Sequence, residues 1–176
     1  MAATVLTIYK ELYWHNNTLS WNFSFLPTVC RGTSSGLGHT DDQFERYQIY
    51  KTLYTNCTHV DGNLEIVFLG NYSLDFSFLQ NIREITGYVL LIANYVDYIP
   101  LTGLRIIRGR SLYEFEGKYY SLYIALNYDP HMPNVGLKEL RFSSLHGISV
   151  VLLLVISKWN LQFSLSLHWD VSYPES

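Results

Sequence analysis

Short apolar runs, each introduced by a glycine and closed by polar turn residues, fill the middle of the chain. Gly62-Asn63-Leu64-Glu65-Ile66, Gly87-Tyr88-Val89-Leu90-Leu91 and Gly103-Leu104-Arg105-Ile106-Ile107 each set a turn-permitting residue before a brief strand rich in branched apolar side chains. A unit this small cannot bury its own apolar face. Piling one on the next buries a continuous row of Leu, Ile and Val and pairs the strand edges, which is the logic of a solenoid. The pattern predicts a mainly β protein with one N-terminal helix, built as a short right-handed parallel β-helix or a related repeat.

The helix follows the loop Gly32-Thr33-Ser34-Ser35-Gly36. Thr40-Asp41-Asp42-Gln43 has the form of a capping box, with Thr40 as N-cap and acidic residues in the first turn to meet the helix dipole. Phe44, Tyr47, Tyr50, Leu53 and Tyr54 then recur at helical spacing, so a helix over about 41–54 presents one aromatic and aliphatic stripe. Further on, 75–85 reads as a corner with a short helical turn. Tyr113 to Tyr120 reads as a loop, Leu122 to Leu126 as a strand, 129–134 as a loop with two prolines, and Leu137-Lys138-Glu139-Leu140 as the start of another repeat. Val150 to Ile156 is seven apolar residues long, far below the ~20 of a membrane helix, and fits a buried strand. Trp159 to Trp169 alternates well enough for a last strand.

Composition sharpens this picture. With 176 residues, 48% of them hydrophobic, the chain can bury one core, and a formal charge of -3 with scattered Lys and Arg leaves no basic footprint for nucleic acid. Fifteen tyrosines suit an irregular interior or an exposed recognition face. Residues 1–28 carry Lys10 and Glu11 in an otherwise apolar and aromatic run without a basic start or a small-residue cleavage site, and read as a divergent leader rather than a signal peptide.

Two cysteines, Cys30 and Cys57, do not by themselves separate a disulfide from a pair of cytosolic thiols. Four glycosylation sequons, at Asn16, Asn22, Asn56 and Asn71, exceed the roughly two expected by chance and point to a secretory setting. In that setting the two cysteines pair with each other, closing a loop that stabilises by about 3 to 4 kcal/mol.

Several segments resemble, in order, the first receptor L domain of the epidermal growth factor receptor family. They are Val29-Cys30-Arg31-Gly32-Thr33, the step to Cys57, Gly62-Asn63-Leu64-Glu65-Ile66, Phe76-Ser77-Phe78-Leu79, Ile82 through Leu90, Ile106-Ile107-Arg108-Gly109 and Gly136-Leu137-Lys138-Glu139-Leu140. The insulin receptor family shares the Arg-Gly turn but departs at the Asn63 strand and the Thr86-Gly87-Tyr88 corner, and ranks second. The resemblance implies a leucine-rich-repeat-like receptor L domain over 29–173, pinned by a Cys30 to Cys57 disulfide. That domain forms half of a growth-factor clamp in the ectodomain of a single-pass receptor tyrosine kinase, at the cell surface or outside the cell.

The implied partner is an epidermal-growth-factor-like protein module, with receptor chains of the same family as possible neighbours. Carried over by position, Leu37, Gly38, His39 and Thr40 form the edge that pairs main chain with the ligand. Phe68, Ala93 and Leu126 lie on the sheet face, with Ala93 smaller than the family pattern, and Glu114 meets a basic ligand group. Each also has an ordinary counterpart as loop anchor, core residue or solvated carboxylate. The family carries a cysteine where this chain has Gln162, so the final disulfide and last turn are missing from the pattern, and Ser149 to Leu154 is unusually apolar for a turn. A chain of this kind fits a fragment or truncated product, with a non-binding structural remnant as the rival.

No enzyme motif competes with this. There is no G-x-S-x-G, no H-E-x-x-H and no phosphate-cradling loop, and the six histidines lack ligand spacing, so neither a metal nor a cofactor is implied. Asp75, Glu84 and Glu114 are carboxylates without a sequence-visible pairing.

Overall fold

A computed structural model describes residues 12–15, 18–21, 27–34, 42–70, 74–129, 131–132, 135–148 and 162–163. Among the described residues the fold is mainly β with one helix, as expected of a receptor L domain. In chain order the elements are β1 (Leu12–His15), β2 (Thr18–Trp21), β3 (Val29–Arg31), α1 (Gln43–Tyr54), β4 (His59–Asp61), β5 (Leu64–Val67), a 3-10 turn (Ser77–Leu79), β6 (Glu84–Ile85), β7 (Val89–Ile92) and β8 (Tyr98–Ile99). There follow β9 (Ile106–Ile107), β10 (Tyr113–Phe115), β11 (Lys118–Tyr120), β12 (Leu122–Ala125), β13 (Glu139–Leu140), β14 (Gly147–Ile148) and β15 (Gln162–Phe163).

Three sets of parallel strands carry the architecture. One runs β14-β9-β6-β4-β3, a second β12-β7-β5 and a third β15-β13-β8. Successive stretches of chain visit them in turn, so each strand hydrogen-bonds to the one laid down a lap earlier. β1 with β2, and β10 with β11, form separate antiparallel pairs.

This topology corrects one expectation. The Gly62 and Gly87 units do stack, with Leu64 opposite Val89, but the Gly103 unit does not continue that pile. Its strand, β9, pairs with β6 in the five-stranded sheet, and the strand that stacks on β7 is β12. Glycine followed by branched residues marks a strand start without marking which face the strand lies on.

Alternation within the β12-β7-β5 sheet divides two apolar clusters. Leu64, Ile66, Val89, Leu91, Leu122 and Ile124 point inward to the main core, which they share with Val60, Phe76, Leu79, Ile85, Ile99, Ile107 and Phe142. Val67, Leu90, Tyr123 and Ala125 point outward to a second cluster. Close approach between laps explains Gly87, where an added Cβ would run into the side-chain oxygen of Asn63 and lie 2.8 Å from the carbonyl oxygen of Gly62.

Helix α1 closes one end of the core. It begins at Gln43, and its N-cap is Asp42, whose carboxylate accepts hydrogen bonds from the backbone N–H groups of Phe44 and Glu45. That places the cap two residues beyond Thr40, which lies outside the described residues. Tyr47, Tyr50 and Tyr54 are buried as the stripe predicted, Leu53 is half-buried, and Phe44 is 63% exposed. Arg46 takes the buried place instead. Cys57, just past the helix, is bonded to Cys30 on β3, with Cα atoms 5.7 Å apart.

The expected strand over 150–156 lies outside the described residues. The last strand, β15, covers Gln162 and Phe163 within the expected 159–169 stretch.

Candidate ligand-binding face

The outer face of the β12-β7-β5 sheet is largely apolar and is partly roofed by an aromatic hairpin. The stretch 113–120, expected as a loop, is instead the antiparallel pair β10 and β11. Its two-residue turn, Glu116-Gly117, has φ of 52° and 71°, the left-handed pair that closes tight hairpins with the natural strand twist. Tyr113 and Phe115 fold back on Tyr123 with ring centroids 4.9 and 5.4 Å away, and Tyr113 also meets Tyr88 at 5.8 Å. Tyr120 adds a further contact to Tyr123 at 5.2 Å. Alternation along β10 turns Glu114 to the opposite side, where it is exposed.

One carboxylate lies under this roof. Glu65 is only 2% exposed, on the outward side of β5, and accepts a hydrogen bond from the Tyr88 hydroxyl. Burial, followed by that bond to Glu65, holds the Tyr88 phenol well above its ordinary pKa. Burial also raises the phenols of Tyr113 and Tyr123.

Where the sheet ends, Val67, Ile92 and Ala125 stand in register, so the residues after them, Phe68, Ala93 and Leu126, form a row. All three have left-handed backbone, with φ of 53°, 53° and 55°. Non-glycine residues seldom adopt this conformation, and large apolar ones least of all. The row is held by N–H groups that still reach the next strand: Phe68 N donates to Ile92 O at 2.9 Å, and Ala93 N to Ala125 O at 3.2 Å. Phe68 and Leu126 remain 42% and 47% exposed, while Ala93 between them is buried.

Immediately behind the row is a polar ladder with no obvious mark in the sequence. Asn127 Nδ2 donates to Leu91 O at 2.8 Å, and its Oδ1 accepts from the backbone N–H and the Nδ2 of Asn94 at 2.9 and 3.0 Å. Asn94 Nδ2 donates in turn to Ile66 O at 2.7 Å. These two buried amides satisfy backbone groups where the chain turns away from the sheet. From α1, Arg46 donates to the carbonyls of Val67 and Phe68, and Gln43 accepts from Gly70 N at 2.9 Å.

The structure thus brings Phe68, Ala93 and Leu126 together and sets Glu114 on the hairpin's outward side. Leu37, Gly38, His39 and Thr40 lie outside the described residues, as do Asn16, Asn22 and Asn71. Asn56 is exposed just past α1, at φ 63°. Among the described residues no cluster of His, Cys, Asp and Glu could hold a metal ion, and no helix is long and apolar enough to cross a membrane.

The receptor L domain family model matches residues 56–173, two thirds of the chain. The chain belongs to the receptor L domain family. This L domain is 41% identical over 143 residues to the mouse receptor tyrosine-protein kinase erbB-4, an alignment covering 81% of the chain and 11% of that relative. It is 41% identical over 124 residues to the chicken epidermal growth factor receptor, covering 68% of the chain and 16% of the relative. The Drosophila melanogaster epidermal growth factor receptor is 43% identical over 98 residues, covering 54% and 7%. The L domain therefore spans about a tenth of the length of the curated relatives it matches.

Proposed function

We propose that this L domain binds growth factor outside the cell, as the counterpart of the first L domain of an epidermal growth factor receptor-like receptor tyrosine kinase. The row Phe68, Ala93 and Leu126 carries the proposal. Three stacked non-glycine residues hold a costly backbone conformation, and two of them turn a large apolar side chain to solvent, a combination typical of sites kept for contact rather than for stability. An epidermal-growth-factor-like module is the occupant the relatives point to. It packs apolar side chains on the row, pairs main chain with the edge at Leu37, Gly38, His39 and Thr40, and sets a basic group near Glu114.

The scaffold fits this role. Parallel strands joined by crossovers are right-handed in about 98% of cases, so the three stacked sheets are read as a short right-handed parallel β-helix. The role of this domain is binding.

Biosensor titration of the folded, secreted chain against an epidermal-growth-factor module tests the proposal. Saturable but weak binding is the predicted result, because half a clamp lacks the effective concentration supplied by the other half. A folded sample that shows no binding at high micromolar module overturns it.

A further inference from the structure

We propose that Asn56 accepts an N-linked glycan only while Cys57 is unbonded, so that its occupancy is set by a race with closure of the Cys30 to Cys57 disulfide. The proposal rests on the extracellular reading above, since both reactions belong to the secretory lumen.

The sequon is Asn56-Cys57-Thr58, and a glycosyltransferase must engage the asparagine amide and the threonine hydroxyl together. In the folded chain the three are not presented alike, for Cys57 is enclosed and Thr58 is half-buried with its polar groups engaged. Asn56 is exposed. Cys57 is fully buried, bonded to Cys30, and its N–H donates to Tyr54 O at 3.0 Å. Thr58 is pinned to the chain entering β3: its N–H donates to Thr28 O at 2.9 Å, and its hydroxyl donates to the same carbonyl at 3.3 Å and lies 3.0 Å from His59 Nδ1. Drawing Thr58 into a transferase means stripping it from that site, and the sulfur bridge one residue earlier ties the chain in place.

Chain order makes the race close. Cys30 enters the lumen before Asn56 does, so the partner thiol is waiting when the sequon emerges. In glycan transfer, Asn56 Nδ2 bonds to C1 of a lipid-pyrophosphate-linked oligosaccharide, the C1–O bond breaks, the amide loses one proton and the lipid pyrophosphate departs. In disulfide closure, the two thiols give up two electrons and two protons to a protein-disulfide oxidant, which becomes a dithiol. A glycan on exposed Asn56 leaves the later bond free to form. The bond formed first removes the sequon.

The test uses the full chain fused to a cleavable secretion signal in mammalian cells, with occupancy of each sequon read by mass spectrometry. Three samples are compared: wild type, Cys30→Ser, and wild type pulsed with dithiothreitol. Asn56 occupancy is predicted to rise about twofold or more in the second and third, with Asn16, Asn22 and Asn71, whose sequons hold no cysteine, unchanged. Equal Asn56 occupancy in all three samples, whether full or absent, overturns the proposal. The added signal guarantees lumenal entry. Failure of the extracellular reading shows separately, as absence of module binding by the folded, secreted chain in the titration above.

Discussion

Arg46 stands over Phe68. Its guanidinium carbon lies 5.9 Å from the centre of the Phe68 ring, and Nη1 donates to the Phe68 carbonyl at 3.1 Å and to that of Val67 at 3.4 Å. A side chain from the helix thus grips both the backbone and the ring of a residue in strained conformation. Arg46→Ala leaves buried carbonyls without this donor and is predicted to cost about 2 to 4 kcal/mol. Arg46→Lys recovers only part of that, because a single ammonium cannot reproduce the planar fork. Urea unfolding of the three proteins checks the order.

The asparagine ladder gives a second prediction. Asn127→Leu keeps a similar volume but removes the acceptor for two Asn94 groups and the donor to Leu91 O, all buried. A loss of about 2 to 3 kcal/mol is expected, seen as a lower urea midpoint with unchanged slope.

Removal of the sulfur bridge gives a third. Cys30 and Cys57 are 27 positions apart, and a crosslink of that span stabilises by about 3.5 kcal/mol in the chain-entropy model. The Cys30→Ala, Cys57→Ala double variant should therefore melt well below wild type. An unchanged melting temperature contradicts a structural role for the bond.

Alkaline pH gives a fourth. Burial pushes the Tyr50 phenol from its ordinary 10.0 to about 12 and raises Tyr54 further still. The unfolded chain ionises first, so these tyrosines contribute their full stability below about pH 10 and lose it as pH climbs toward 12, at about 1.4 kcal/mol per pH unit each. Tyrosinate absorbance at 295 nm should rise in two stages, the second coinciding with loss of β circular dichroism. A single early stage with the fold intact contradicts the burial of these phenols.

Strand starts and the buried helix stripe were legible in the sequence because both depend on local period and glycine placement. Face assignment was not, since β9 and β12 look alike until the lap length between them is known. The N-cap shifted because Asp42 caps as well as Thr40 can, and only the path of the chain into the helix chooses. Arg46 escaped notice because a charged residue reads as solvated; its long stem buries while its head finds strand-end carbonyls. The hairpin escaped because Glu116-Gly117 is a weaker turn signal than Asn-Gly, and aromatic alternation around it reads equally as a loop. The row of Phe68, Ala93 and Leu126 came from positional resemblance, whereas its left-handed backbone has no signature in those residue types.

Hydrogen–deuterium exchange of the folded chain, with and without saturating epidermal-growth-factor module, tests most directly whether the module packs on that row. The account predicts slower exchange in 64–70, 89–95 and 122–128, with the five-stranded sheet at 59–61, 84–85 and 106–107 unaffected. Protection confined to the five-stranded sheet, with the row unchanged, contradicts it.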